Sequence, residues 1–350
     1  MIQIIINNQS VEVETSMTIL EACKRLSIDI PTFCHDERLK PFGACRICVV
    51  EVEGAKKLLA ACTEKVKEGM IIWTHSQRVI DARKEILELI WGVHDNDCLS
   101  CEKAGDCKLQ NYCFEYGIEA STSEYTMNLL GRYDTSNKFY TIDRDKCILC
   151  GKCIRVCKEL QNSSAIGFDC RSDKMHVAHP FGEGMTNSTC VSCGNCVNVC
   201  PTGALMEKKR VAFRTWDIDK KVRTTCVYCG VGCQIDLLVK DNQVVRIDPA
   251  VDAVNKGLLC VKGKFAYSFI NHPDRLTKPL IRKNGQLIEG TWDEAYDLIA
   301  KKIVEIKQTH GSDGFAGFSS AKCTTEDNYI MQKFFRAVLG TNNIDHCARL

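Results

Sequence analysis

The chain lacks any apolar run approaching the roughly 18 residues that a membrane span requires. Residues 1–6 (MIQIII) carry no basic flank and are too short for a signal core, so no secretory or twin-arginine leader is expected. A surplus of either charge is also missing. The 46 Lys and Arg against 44 Asp and Glu leave a formal +2, which makes no electrostatic case for nucleic acid or an acidic membrane. Cysteine, by contrast, is abundant, at 24 in 350 residues. Disulfide scaffolds are short secreted chains, and this one is several times too long. The expectation is a cytoplasmic protein whose thiols are metal ligands.

The cysteines fall into five clumps separated by ordinary globular sequence, so length and spacing predict several domains in an α+β arrangement. Residues 2–6 and 11–13 alternate as a β-hairpin turning at Asn7-Asn8. Thr18 and Glu21 form a capping box ahead of the helical stripe Ile19, Ala22, Cys23, Leu26. Strand-like runs at 47–52, 57–62 and 70–74 complete a β-rich unit over 1–76. A helix from Gln77 to Trp91 opens a second unit, 77–119. Polar residues 120–137 read as a linker to a third, 139–208, which the charged stretch Glu207–Arg210 closes. A fourth spans 219–275, and after it the pattern over 276–350 turns α/β. There Thr291 and Glu294 cap a helix to about Gln308, a strand covers 315–319, and a helix over 325–339 carries Met331, Phe334, Phe335 and Val338 on one face.

The first cysteine group is Cys34, Cys45, Cys48 and Cys62, with ten, two and thirteen residues between successive members. Two sulfurs two residues apart can aim at one centre, and a distant pair closes it. With the run Phe42-Gly43-Ala44-Cys45-Arg46-Ile47-Cys48, it resembles the [2Fe–2S] domain of NADH dehydrogenase large iron–sulfur subunits and iron-only hydrogenases. The alternative is a zinc ribbon, which ordinarily shows two close pairs. The second group, His94, Cys98, Cys101 and Cys107, resembles the His–Cys₃ [4Fe–4S] site of the same families, although zinc also accepts that donor set. Imidazole in place of thiolate removes a negative charge, which by analogy with Rieske centres raises the potential.

The third block is the most specific. Cys147, Cys150, Cys153 and Cys157 repeat as Cys190, Cys193, Cys196 and Cys200, followed by Pro201. This is the two-cluster bacterial ferredoxin pattern, in which the fourth Cys of each run ligates the other cluster. One [4Fe–4S] cluster is expected on Cys147, Cys150, Cys153 and Cys200, and its partner on Cys190, Cys193, Cys196 and Cys157. Lys158 departs from the pattern, which places proline after the fourth Cys.

Cys226, Cys229, Cys233 and Cys260, with Gly257-Leu258-Leu259-Cys260-Val261-Lys262-Gly263, resemble the [4Fe–4S] domain of molybdopterin oxidoreductases. In formate dehydrogenases of that family a lysine two residues past the last ligand lies between cluster and pterin, and the position falls on Lys262. The bland alternative is a solvated lysine. Five cysteines remain. Cys23 and Cys113 read as buried apolar residues, Cys170 as a strand residue, and Cys323 and Cys347 lie in the α/β part.

The whole chain resembles a cytoplasmic formate dehydrogenase alpha subunit, including Ser319–Thr324 and the stretch from Thr341 to Leu350. The resemblance implies a β-grasp [2Fe–2S] domain, a His–Cys [4Fe–4S] domain, a 2[4Fe–4S] ferredoxin domain and the start of an α/β molybdopterin domain. It implies one [2Fe–2S] cluster, four [4Fe–4S] clusters and a molybdenum or tungsten bis(pyranopterin guanine dinucleotide). The reaction would be reversible oxidation of formate to CO₂. Electrons would be exchanged with a flavin/NAD(P)-binding iron–sulfur subunit, a hydrogenase or a ferredoxin. The alternative is an electron-wire subunit without formate chemistry. In the family, Cys or selenocysteine follows the Cys347-Ala348-Arg349-Leu350 stretch, so an in-frame UGA after codon 350 is expected.

Overall fold

The computed structural model describes residues 1–118, 133–179, 184–208 and 211–348. The chain forms two compact units, Met1–Ile218 and Asp219–Leu350. The expected closing charges Lys209 and Arg210, most of the expected linker, and Arg349 and Leu350 lie outside the described residues.

In the first unit, β1 (Ile2–Ile6) and β2 (Gln9–Val13) pair antiparallel around Asn7 and Asn8. Both asparagines are left-handed (φ 46° and 67°), the conformation a two-residue hairpin needs for its twist. α1 (Ile19–Arg25) starts at Thr18 with the expected capping box, Glu21 Oε2 accepting from Thr18 N at 2.7 Å. β3 (Val49–Val52), β4 (Leu59–Ala60) and β5 (Ile71–Trp73) complete a sheet ordered β2-β1-β5-β3-β4, with β1 and β5 parallel. Ile4, Ile6, Val13, Ile19, Ala22, Cys23, Val50 and Ile72 fill its core. Each large aliphatic buried there contributes about 1.5–3 kcal/mol.

α2 (Gln77–Gly92) is capped by Ser76 and buries Val79, Arg83 and Leu87. α3 (Lys108–Glu115) follows, then β6 (Tyr133–Asp134) and β7 (Tyr140–Asp143). The linker expected over 120–137 therefore ends early, because Tyr133 and Asp134 pair with β7. α4 (Lys152–Arg155) runs into a π-helical turn at Val156–Leu160, and β8 (Gly167–Asp169) pairs with β9 (His176–Ala178). Cys170 is not in a strand: it is exposed just past β8 with φ +60°. α5 (Asn195–Val199) leads to β10 (Leu205–Glu207), which joins β7 and β6 in one sheet.

The second unit opens with an antiparallel meander of β11 (Lys220–Thr225), β12 (Gln234–Lys240) and β13 (Gln243–Pro249), then α6 (Val261–Phe265). β14 (Leu280–Lys283) and β15 (Gln286–Glu289) form a hairpin before α7 (Trp292–His310). Thr291 caps α7 by accepting from Glu294 N at 3.2 Å, while the Glu294 carboxylate pairs with Lys283. β16 (Gly317–Ser319), α8 (Thr325–Lys333) and β17 (Ile344–His346) make a parallel βαβ step. A π-helical turn over Phe334–Leu339 alters the expected apolar face. It buries Phe335 and Leu339, while Phe334 and Val338 stay exposed. Among the described residues no helix is long and apolar enough to cross a membrane.

Candidate metal centres

The Cys34, Cys45, Cys48 and Cys62 thiols meet beside the edge of the first sheet, and the Cys48 and Cys62 Sγ atoms lie 3.4 Å apart. Left-handed Gly43 (φ 69°) and Arg46 (φ 58°) wrap the loop. A Cβ at Gly43 would come within 3.0 Å of Thr63 Cγ2, so glycine is needed on two counts. Hydrogen bonds from the Cys45 and Cys62 thiols, then amides of Cys45 and Ala44, hold the Cys34 thiol far below its usual range. Cys45 and Cys62 are pushed up by the same thiol contacts.

His94 is buried, stacked against Trp91 with centroids 6.2 Å apart, and its Nδ1 has no hydrogen-bond partner. Burial lowers its pKa to about 4, so the ring stays neutral as a metal ligand requires. The ring's own hydrogen bond runs to the Lys146 backbone. Burial raises Cys107 against the opposing pull of the Gln110 and Leu109 amides at the start of α3. Burial likewise raises Cys98.

The third block reproduces its sequence repeat in its backbone. Leu149 and Ser192, each two residues past the first cysteine of its run, both have φ 52°. Gly151 and Gly194 have φ 69° and 74°. Each loop turns an amide onto a sulfur: Leu149 N donates to Cys147 Sγ at 3.4 Å and Ser192 N to Cys190 Sγ at 3.3 Å. Cys147, Cys150, Cys153 and Cys200 line one small cavity, with Pro201 and Thr202. Cys157, Cys190, Cys193 and Cys196 line another, with Tyr140. The fourth cysteine of each run thus crosses to the other cavity. Burial pushes the Cys147 thiol up to about 12 and Cys150 to about 11, and raises Cys153 and Cys196 further. Thiols so resistant to ionisation become thiolates only when a metal takes up the charge. The Lys158 departure has a local consequence. Without proline after Cys157, the helix continues through a π-turn to Leu160, whereas α5 stops at Val199 with extended Cys200 as its cap before Pro201.

In the second unit Cys226 N donates to Cys233 O at 2.8 Å, and a Cβ at Gly263 would lie 3.6 Å from Cys226 Sγ. Burial raises the Cys226 thiol, and Lys262, exposed on α6, counters it. Cys260 is exposed at the start of α6. Cys23 and Cys113 are buried apolar residues as expected, at 0% and 4% exposure. Cys347 Sγ lies 3.5 Å from Ser320 Oγ. Among the described residues, no three His, Cys, Asp or Glu side chains draw together closely enough to hold a single metal ion.

Sequence spacing missed the cations around these groups, of which Arg83, Arg155 and Lys264 are buried and Arg214 half-buried. Arg83 donates to Val49 O at 2.9 Å, next to Cys48, and Arg155 donates to Cys34 O at 2.8 Å. Arg214 donates to Leu99 O at 2.9 Å and to Cys101 O, and Lys264 to Ile247 O at 2.5 Å. No local motif announces them, because each reaches its carbonyl from a distant part of the chain.

Family models match almost the whole chain in sequence order. A 2Fe-2S iron-sulfur cluster binding domain covers 1–77 and an NADH-ubiquinone oxidoreductase-G iron-sulfur binding region covers 83–122. A 4Fe-4S dicluster domain covers 146–204. A molybdopterin oxidoreductase Fe4S4 domain and a molybdopterin oxidoreductase domain follow at 219–272 and 275–350. The chain is 37% identical, over 100% of its length and 40% of the relative's, to "NADPH-Fe(3+) oxidoreductase subunit alpha" of Geobacter sulfurreducens. It is 34% identical, over 99% of its length and 40% of the relative's, to "Putative formate dehydrogenase YrhE" of Bacillus subtilis. A solved NAD+-reducing [NiFe]-hydrogenase chain superposes with a TM-score of 0.55 at 28% identity, covering 61% of this chain and 90% of that one. The chain spans about 40% of the length of these curated relatives. It is an α+β assembly carrying 2Fe–2S, NADH-oxidoreductase-type and 4Fe–4S dicluster domains, followed by domains of the molybdopterin oxidoreductases.

Proposed function

We propose that the chain is the electron-transferring part of a cytoplasmic formate dehydrogenase that interconverts formate and CO₂. The observation that carries the cluster reading is the crossing of Cys157 and Cys200 between the two cavities of the third block. A tetrahedral zinc site, with Zn–S bonds near 2.3 Å, packs its sulfurs within about 3.8 Å of one another. Among the described residues no three donors close to that spacing around a single ion, while four cysteines gather at each of the two cavities, a better fit to polynuclear clusters.

On this reading Cys34, Cys45, Cys48 and Cys62 hold a [2Fe–2S] cluster. His94, Cys98, Cys101 and Cys107, the two crossed sets of the third block, and Cys226, Cys229, Cys233 and Cys260 each hold a [4Fe–4S] cluster. Iron–sulfur clusters supply one-electron transfer, and a molybdenum or tungsten pterin supplies the two-electron oxidation of formate. The protein's share is the donor geometry, the amides aimed at sulfur, and the buried cations that offset cluster charge. Lys262, whose charge acts on the Cys226 thiol, would be the cation between that cluster and the pterin. A flavin subunit that binds NAD(P) is the expected partner, in keeping with the NAD+-reducing hydrogenase likeness. The second reading, NAD(P)H-linked electron transfer without formate chemistry, is favoured by the name of the Geobacter relative.

Anaerobic purification followed by iron, acid-labile sulfide and zinc assays tests the cluster reading. Iron and sulfide sufficient for five clusters are expected, and stoichiometric zinc in place of iron would sink it. Formate-dependent viologen reduction by the full-length protein separates the two functional readings.

A further inference from the structure

The loop that carries Cys34 and the turn that follows Cys150 are packed together in the first unit. Cys150 shares an apolar cluster with Phe33, Cys34 and Ile47, against which Cys45 packs. Leu39 packs with Val156 and Val199. The Phe42 ring lies on Gly151, where a Cβ would come 3.2 Å from its Cε1. Into this seam projects Arg155, two residues past Cys153 and 8% exposed. Its Nη1 donates to Cys34 O at 2.8 Å, and its Nη2 donates to Lys40 O. The guanidinium carbon stands 5.0 Å from the Phe42 ring centre. Glu159 lies 3.6 Å from Arg155 Nε and accepts from Lys40 N at 3.1 Å.

Two facts make this more than packing. Burying a guanidinium is costly unless neighbouring groups compensate. Glu159 is the carboxylate paired with it and is itself partly solvated, with a quarter of its side chain exposed. The hydrogen bonds also go to the carbonyl of Cys34 itself, a member of the first group, from the helix that carries Cys153. Arginine's planar fork holds its donors in a fixed geometry toward two carbonyls, whereas lysine's flexible ammonium does not fix their separation.

We propose that Arg155 is the positioning residue that couples the Cys34 centre to the Cys147/Cys150/Cys153/Cys200 centre. It fixes their separation through the Cys34 and Lys40 carbonyls and places a positive charge between them. One electron leaves one centre as it enters the other and no proton moves, so distance and charge are what the side chain controls. A cation beside a cluster stabilises its more negative reduced form, so Arg155 raises the potential of both centres. This rests on the cluster reading above.

The test uses the full-length protein purified anaerobically, with Arg155→Gln and Arg155→Lys. EPR of the wild type at full reduction should show the [2Fe–2S] signal broadened by its reduced neighbour, and narrow at partial reduction. In Arg155→Gln, with iron content unchanged, the [2Fe–2S] midpoint should move to more negative potential and the broadening should weaken. Arg155→Lys keeps the charge and loses the rigid planar fork, so it should keep the potential while the broadening still weakens. It also serves if the glutamine variant fails to fold. Wild-type potential and broadening in a fully loaded variant would overturn the proposal. A wild type without iron would instead overturn the cluster reading, and this inference with it.

Discussion

Gly203 sits directly against Cys101: a Cβ on Gly203 would come 2.7 Å from Cys101 Sγ and 3.5 Å from Lys146 Cδ. The second cysteine group thereby abuts the third block close to Cys200. The contact is reinforced by Lys108 N donating to Pro201 O at 3.0 Å and by Asp95 N donating to Asp145 O at 2.9 Å. Gly203 is required for space and not for a special backbone angle. Gly203→Ala should therefore displace Cys101 and cost about 1–3 kcal/mol through overpacking. Loss or reshaping of one [4Fe–4S] EPR signal, with a lowered melting temperature, is the expected result. An unchanged spectrum and melting curve would show that Cys101 is not held at this contact.

His94 offers a sharper electronic test. Its buried Nδ1 has no hydrogen-bond partner, and Trp91 stacks on its ring. His94→Cys should retain a cluster and lower its potential, because thiolate adds a negative charge to the site. His94→Ala should remove that cluster. If iron content and EPR are unaffected in the alanine variant, His94 is a structural residue.

Acid should loosen the third block through His179. The ring is buried, its Nδ1 lies 3.2 Å from Asp134 Oδ2, and its Nε2 has no partner among the described residues. Burial lowers its pKa, while Asp134 opposes that shift and Arg144 adds to it. The group is depressed in the folded state, so its contribution is complete above the unfolded value of 6.5 and declines as pH falls below it. His179→Asn should flatten the stability profile between pH 6.5 and the acid limb set by carboxylates. Chemical denaturation across that range measures the slope, and an unaltered slope would place the sensitivity elsewhere.

What sequence reading recovers here follows from how far apart the interacting groups lie in the chain. The cysteine repeat is local, so its spacing fixes the loop, and the left-handed pairs Leu149–Gly151 and Ser192–Gly194 follow from it. The capping box at Thr18 and the hairpin at Asn7-Asn8 are equally local. Arg155 could not be found this way, because it meets Cys34 across 121 residues and nothing near either residue predicts the meeting. The same holds for Arg83, which joins Val49 O to the Tyr116 hydroxyl. The π-turn at Phe334–Leu339 was illegible for another reason. The wider turn shifts the apolar stripe without changing its composition, so Phe335 keeps its expected burial while Leu339 is buried in place of Phe334 and Val338.

Tyr140 gives the last prediction. Its ring is 1% exposed, and its hydroxyl lies 3.5 Å from Cys190 Sγ, in the cavity that also holds Cys157, Cys193 and Cys196. Ser192 N at 3.3 Å and Asn137 Nδ2 at 3.9 Å approach the same sulfur, so Cys190 stands among three donors. Cys147, its counterpart in the repeat, receives Leu149 N at 3.4 Å. Hydrogen bonds to a ligating sulfur stabilise the reduced, more negative cluster and so raise its potential. Tyr140→Phe removes one of them and keeps the ring in place, at a stability cost of about 1 kcal/mol. The variant should assemble with unchanged iron, and one [4Fe–4S] midpoint should move to more negative potential while the others stay. A redox titration followed by EPR resolves the two outcomes. A wild-type midpoint for every cluster would mean that the hydroxyl does not donate to Cys190, and loss of iron would make Tyr140 a packing residue of the cavity.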